Sequence, residues 1–259
     1  APNTEPAPGP NNARLKIELT SSAPAPSSVL WFVPSSTLLR LRGLALFLPG
    51  AAGMVGGFQT ARIDLRGNWF GVTAAGTSPD YSTSSGAIEF GNFGTGAIIG
   101  GPDPADRNVI AGSGRNGSGQ LQGTGNTVRV SSTASGQGVL LFQGNLVGLA
   151  PDGVTPLPFR DPLTISSSDD AFVTPDIRVL DNRFVRPALT AGGNFGNALQ
   201  FSVSRVMDHT ALIQGNVFGL GVDGSPIGEF ELSESCAMSG LRLGHSPPSP
   251  GLARQDELG

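Results

Sequence analysis

The chain has 259 residues, of which 38 are Gly, 21 are Pro and one is Cys, with only 14% charged and 7% aromatic residues. So much Gly and Pro excludes a mainly helical protein, because each destabilises a helix interior. An apolar content of 38% and a net charge of −4 exclude an acidic disordered tail and a collagen-like repeat, and leave a turn-rich all-β body as the class.

Partners narrow on the same grounds. The 16 basic residues are scattered, with Lys16 the one lysine, so no basic stripe stands ready to release counterions and nucleic acid is not an expected partner. Cys236 cannot form an internal disulfide, and one Cys with His209 and His245 does not make a zinc site. The most apolar run, Leu44 to Val55, is broken by Pro49, Gly50 and Gly53, so no membrane span is expected. The start at Ala1 fits removal of a signal peptide, and an extracellular or cell-surface location is the expectation.

In chain order, residues 1–12 carry Pro2, Pro6, Pro8 and Pro10 and read as a flexible, solvated lead-in. The folded domain is expected over 13–245, and the Pro/Ser-rich stretch 246–259 reads as a loose tail. Val29 to Val33 is the first short strand. Leu39 to Leu46 then opens a repeat: alternating apolar residues, a Gly, and a bend position held here by Leu44. Ile63 to Gly71 repeats it with Gly67-Asn68, Leu140 to Gly148 with Gly144-Asn145, and Ala211 to Gly219 with Gly215-Asn216. Ile177 to Phe184 keeps Asn182 but has Asp181 in place of the Gly, and Arg107-Asn108-Val109-Ile110 fills the long gap after Asn68. Ala97 to Ile99, Thr127 to Val130, Leu199 to Val203 and Leu241 to Leu243 supply further short strands.

Internal repeats take precedence in assigning architecture. Period-two alternation predicts strands, and Gly-Asn pairs suit sharp bends because both residues tolerate left-handed backbone angles. Such a unit cannot bury its apolar face alone, but it can if successive coils stack about 4.8 Å apart and hydrogen-bond along the stack. The expected fold is an all-β, right-handed parallel β-helix of roughly seven to ten coils. Phe70, Phe184 and Phe218 would share an inward column, and Asn68, Asn108, Asn145, Asn182 and Asn216 would form a structural ladder of side-chain amides.

Between about Leu38 and Gly228 these repeats resemble secreted bacterial β-helix proteins of the pectin-lyase-like superfamily, on Gly67 to Gly71, the loop Val72 to Pro79, and Ile98-Ile99-Gly100-Gly101 through Arg107-Asn108-Val109-Ile110. The resemblance implies the scaffold, which serves lyases, hydrolases, adhesins and phage tail proteins alike. It also makes Asp169-Asp170 the catalytic suspects, since polygalacturonase-like hydrolases carry such a pair to flank a glycosidic bond as acid and base. That family's Asn-Thr-Asp, Gly-His-Gly and Arg-Ile-Lys motifs are absent, and so is the Arg-x-Pro-x-x-Arg pattern of pectate lyases near Arg183 and Arg186. The simpler reading of Asp169-Asp170 is a solvated turn, and that of His209 a turn residue.

Other candidates read as structure. Asp152-Gly153 and Asp223-Gly224 favour tight turns, and Ala75 at the matching place argues against calcium, so no metal is expected there. Asp103 and Asp106 suggest a turn cap or a local ion pair with Arg107, while Asp64, Arg66 and Arg178 fall on the outer face of their strands. Gly112 to Gly125 reads as a lid or slack loop, and Asn116-Gly117-Ser118 is a glycosylation sequon. No nucleophile elbow, phosphate loop or dinucleotide fingerprint occurs, so no cofactor is expected. The leading expectation is a secreted module that presents a rigid surface to a polysaccharide, a cell-surface glycan or another surface without catalysis. A polysaccharide hydrolase or lyase is the rival, and a structural spacer the third possibility.

Overall fold

The structure is a computed structural model, and it describes residues 1–6, 9–20, 29–33, 37–47, 53–57, 62–77, 88–90, 96–111, 126–132, 138–157, 161–167, 176–185, 199–203, 210–227 and 241–244. These residues form three sheets and a single 3-10 turn, Pro104–Asp106, with no α-helix among them. None of their segments is a helix long and apolar enough to cross a membrane.

Sheet A holds Ile17–Thr20, Leu44–Phe47, Trp69–Phe70, Val109–Ile110, Leu146–Val147, Arg183–Phe184 and Val217–Phe218 in that order. Sheet B holds Val29–Val33, Gly53–Gly57, Ile88–Phe90, Asn126–Ser132, Asp161–Ser167 and Leu199–Val203. Sheet C holds Leu38–Arg42, Arg62–Arg66, Ala97–Gly100, Val139–Gln143, Asp176–Leu180, Thr210–Gln214 and Leu241–Gly244. All pairings between these strands are parallel. From Ile17–Thr20 to Val217–Phe218 the described strands follow the rotation A, B, C, and the next described strand, Leu241–Gly244, belongs to sheet C; each strand pairs with its successor in the same sheet. This all-β parallel arrangement is compatible with a β-helix.

Register turns the alternation of the sequence into columns. In sheet C, Leu65 pairs with Ile99, Ile99 with Phe142 and Phe142 with Val179, all inward, while Asp64 and Ile98 share the outward row. In sheet A the inward column runs Leu46, Phe70, Ile110, Val147, Phe184, Phe218. Phe184 stacks between Phe142 at 6.1 Å and Phe218 at 5.2 Å, each at 13°. Phe70 and Phe184 are fully buried, but Phe218 is only partly so, because it lies on the last strand of its sheet.

The bends between sheets C and A carry the asparagines. Asn108 Nδ2 donates to Asn145 Oδ1 at 2.9 Å, Asn145 Nδ2 to Asn182 Oδ1 at 3.0 Å, and Asn182 Nδ2 to Asn216 Oδ1 at 2.9 Å, with a longer 3.5 Å contact from Asn68 to Asn108. The second amide hydrogen of each goes back to a sheet C carbonyl one circuit earlier: Asn145 to Ile99 O at 2.9 Å, Asn182 to Phe142 O at 2.8 Å. Each oxygen also accepts the backbone N–H of the preceding asparagine, as Asn182 Oδ1 does from Asn145 N at 2.9 Å. A backbone N–H can only donate, which sets the amide orientation. At the first bend Leu44 stands in the asparagine position, and its N–H donates to Asn68 Oδ1 at 3.1 Å, so the row stops there.

The residue before each asparagine must be left-handed. Gly67, Gly144 and Gly215 have φ of 63°, 69° and 68°, and Asp181 takes φ 54° in the same place, the one non-glycine with positive φ among the described residues. A Cβ at Gly144 would also lie 2.7 Å from the Gly101 carbonyl oxygen. Gly144→Ala should therefore lower stability by about 2 kcal/mol or more, since strain and a backbone clash act together; a urea midpoint equal to that of the parent would refute the packing at this bend.

The outer face of sheet A is covered rather than wet. Trp69, Val109 and Leu146 follow one another in register along its outward row and form a second apolar cluster with Val72, Leu149, Ala150, Leu157 and Val185. Ala13 and Leu15 pack on it as well. Most of the described residues of the lead-in are exposed, and two buried side chains anchor it: Asn3 and Asn11 are only 3% and 5% exposed. Asn3 Nδ2 donates to Pro104 O at 2.8 Å, and Asn11 N donates to Pro151 O at 2.6 Å. The buried Arg107 donates through Nη1 to Gly9 O and Pro10 O at 2.6 and 2.8 Å. Proline-rich backbone keeps its carbonyls free of any ladder, and a buried guanidinium needs such acceptors.

Candidate functional site

The loops that follow the Gly-Asn bends are built as lids on sheet A. Gly76, Gly153 and Gly224 close equivalent turns onto the carbonyls of Thr73, Ala150 and Gly221, and Val222 N reaches across to Gly153 O at 2.9 Å, so two of the loops stack on each other. The Asp152 oxygens accept Val154 N, Thr155 N and the Thr155 hydroxyl, and Asp223 accepts Ser225 N and its hydroxyl. Burial alone would raise Asp152, but the Thr155 hydroxyl and the two N–H donors outweigh it and hold the carboxyl below the usual range. The Ser225 hydroxyl and N–H lower Asp223 in the same way. Both carboxylates are engaged by their own turns, and the described residues contain no cluster of three or more His, Cys, Asp or Glu placed to hold a metal.

Arg183 fastens one of these loops. Its buried Nη1 donates to Leu220 O at 2.7 Å and to Gly221 O, and its Nε is buried with no hydrogen-bond partner among the described residues. Burial lowers both buried arginines, offset in part by Asp223 for Arg183; for Arg107 burial and the Arg183 charge bring the guanidinium down to about 10, still protonated at neutral pH. Both cations hold backbone carbonyls.

A charged row crosses the outer face of sheet C. Arg40 Nε pairs with Asp64 at 3.2 Å, Arg66 bridges Asp64 at 2.5 Å and Asp106 at 2.9 Å, and Arg42 reaches Asp106 at 2.6 Å. The register that sets Arg40 beside Asp64 and Arg42 beside Arg66 forces this, and the 3-10 turn delivers Asp106 from the next circuit. Asp106 therefore pairs with two distant arginines and not with its neighbour Arg107, whose guanidinium turns to backbone carbonyls. Burial by itself would lower Arg66, yet its bonds to Asp64 and Asp106 raise it. The Asp106 side chain is 5% exposed, so Asp106→Ala should cost about 1–3 kcal/mol by leaving two guanidinium groups with a lost partner. The gap between parent and variant should narrow in high salt, because Arg42 is largely exposed and screened; an unchanged urea midpoint would reduce the row to surface decoration.

Beside this row lies an open recess of about 350 Å³ between the lead-in and the first bend. Arg14, Lys16 and Arg42 line it, with Ile17, Leu15 and Pro2 as apolar surface, and no carboxylate is among its described lining residues. Spacing along the chain gave no hint of this cluster: Arg42 comes from sheet C, whereas Arg14 and Lys16 come from the segment leading into sheet A.

Asp169, Asp170, His209, His245, Arg186, Cys236 and the loop Gly112 to Gly125 with its sequon lie outside the described residues. No family model, no curated protein and no solved structure matches this chain.

Proposed function

We propose that the chain is a right-handed parallel β-helix of the pectin-lyase-like kind, and that it acts outside the cell as a rigid module whose surface recognises carbohydrate or another surface without catalysis. The observation that carries this reading is the A, B, C rotation of three parallel sheets from Ile17 to Phe218, whose bends satisfy their own polar groups through the asparagine row. A scaffold of that type has little conformational freedom to lose on binding, which favours recognition by a preformed surface. Loops and lead-in cover sheet A, and among the described surfaces this reading assigns the outer side of sheet C and the recess beside it to a partner.

The test is a glycan array probed with the whole chain at moderate ionic strength. Reproducible retention by one glycan class supports recognition, and silence over the whole array overturns it in favour of a spacer. In parallel, incubation with acidic polysaccharides should release neither reducing ends nor unsaturated products. Release that disappears in the Asp169→Ala/Asp170→Ala double variant would install the hydrolase or lyase reading instead.

A further inference from the structure

We infer that the recess at the first bend binds one anionic sugar residue, with its carboxylate or sulfate ester on the Arg14, Lys16 and Arg42 rim and its ring on the apolar floor. This rests on the carbohydrate-recognition reading and adds to it a place and a charge. Three independent features meet there.

The first is the charge. Against a chain-wide net charge of −4, this corner brings Arg14, Lys16 and Arg42 to one recess with no described carboxylate in its lining. Asp106 occupies a single nitrogen of Arg42, Nη2 at 2.6 Å, and leaves the rest of a guanidinium whose side chain is 65% exposed. A planar fork beside a mobile ammonium suits an oxyanion.

The second is the shape. At later bends a neighbouring circuit closes over the glycine: a Cβ would lie 2.5 Å from Ala105 O at Gly67 and 2.7 Å from Gly101 O at Gly144, and would run into the Asp181 side chain at Gly215. At Gly43, with φ 73°, a Cβ would meet nothing within 4 Å. The first bend is thus the open one, and it lines the recess. Its volume of about 350 Å³ is at the small end for ligand sites, enough for one ring of a longer chain and not for a folded partner.

The third is the floor. Ile17 is 56% exposed at the edge of sheet A, and with Leu15 and Pro2 it offers the apolar surface on which a ring's C–H face can rest. The walls are held in place, since Asn3 and Arg107 tie the lead-in to the body.

The experiment is calorimetric titration of the whole chain with four probes: a carboxylated oligosaccharide, a sulfated oligosaccharide, a neutral oligosaccharide of the same length and inorganic sulfate. One of the two charged oligosaccharides should bind, more weakly as salt rises, and the one that does names the oxyanion. Arg14→Ala/Lys16→Ala changes two exposed side chains and should weaken that binding about tenfold, with the urea midpoint unchanged; Arg42→Lys, which keeps the charge and loses the fork, should weaken it less. Neutral and charged oligosaccharides bound alike, with no effect of the double variant, would overturn the recess and leave carbohydrate recognition standing. Inorganic sulfate bound as tightly as the charged oligosaccharides would overturn the sugar assignment. No binding by any saccharide would overturn both.

Discussion

Asn145→Ala should lower the stability of the fold by about 3–5 kcal/mol, a large effect for one truncation, because several buried groups lose their partners together. Asn145 is 1% exposed and ties three circuits. Its Oδ1 accepts Asn108 N and Nδ2, and its own Nδ2 serves Ile99 O and Asn182 Oδ1. Truncation leaves two donors and two acceptors facing a dry hole that no solvated chain end can relieve. Asn216→Ala should cost clearly less, since Asn216 ends the row and is only partly buried, so water can replace the lost amide. Equilibrium urea unfolding followed by circular dichroism measures both. Equal costs, or less than about 1 kcal/mol at Asn145, would show that the row is decoration on a fold held by apolar packing alone. Asn145→Asp should restore only the acceptor half at neutral pH, because its carboxylate can still accept from Asn108 but cannot donate to Ile99 O and would face the Asn182 oxygen.

Phe184→Ala should cost a similar amount, about 3–5 kcal/mol, by a different route: lost apolar transfer plus the cavity that remains. Phe184 is fully buried and stacked on both sides, by Phe142 and Phe218, at the corner where sheets A and C meet. Stacked circuits cannot collapse sideways to fill such a hole without breaking the backbone bonds that link them, so relaxation is limited. Phe218→Ala, at the open end of the same column and half-buried, should cost less, and Asp223→Ala less again, since that exposed carboxylate hydrogen-bonds within its own turn. If Phe218 proved the costlier of the two rings, the column would have to extend beyond the last described strand of sheet A.

Repeats made much of this architecture legible in advance. Recurrence of apolar, apolar, Gly-Asn, apolar marked where strands end and bends begin, because alternation and left-handed tolerance are properties of single residues and survive without any knowledge of neighbours. Asp181 shows how far that reasoning carries: it stands in the place of a glycine and takes the glycine's backbone angle. What could not be read was anything that depends on which circuit lies beside which. The loops after the bends carried tight-turn signals but nothing to say where they lie, and Val72, Leu149 and Val222 turn them onto sheet A. Asp106 looked local to Arg107, and its partners are Arg42 and Arg66 from two other strands.

By itself, then, the amino-acid order determined the strand periodicity, the bend positions and the amide row, all of which follow from local conformational preference repeated at intervals. Only the tertiary structure decided which outward face is covered, where the proline-rich lead-in docks, and that Arg14, Lys16 and Arg42 share one recess. The physical reason is that Coulombic and apolar contacts act between residues one circuit apart, and the unequal lengths of the circuits set which side chains those are.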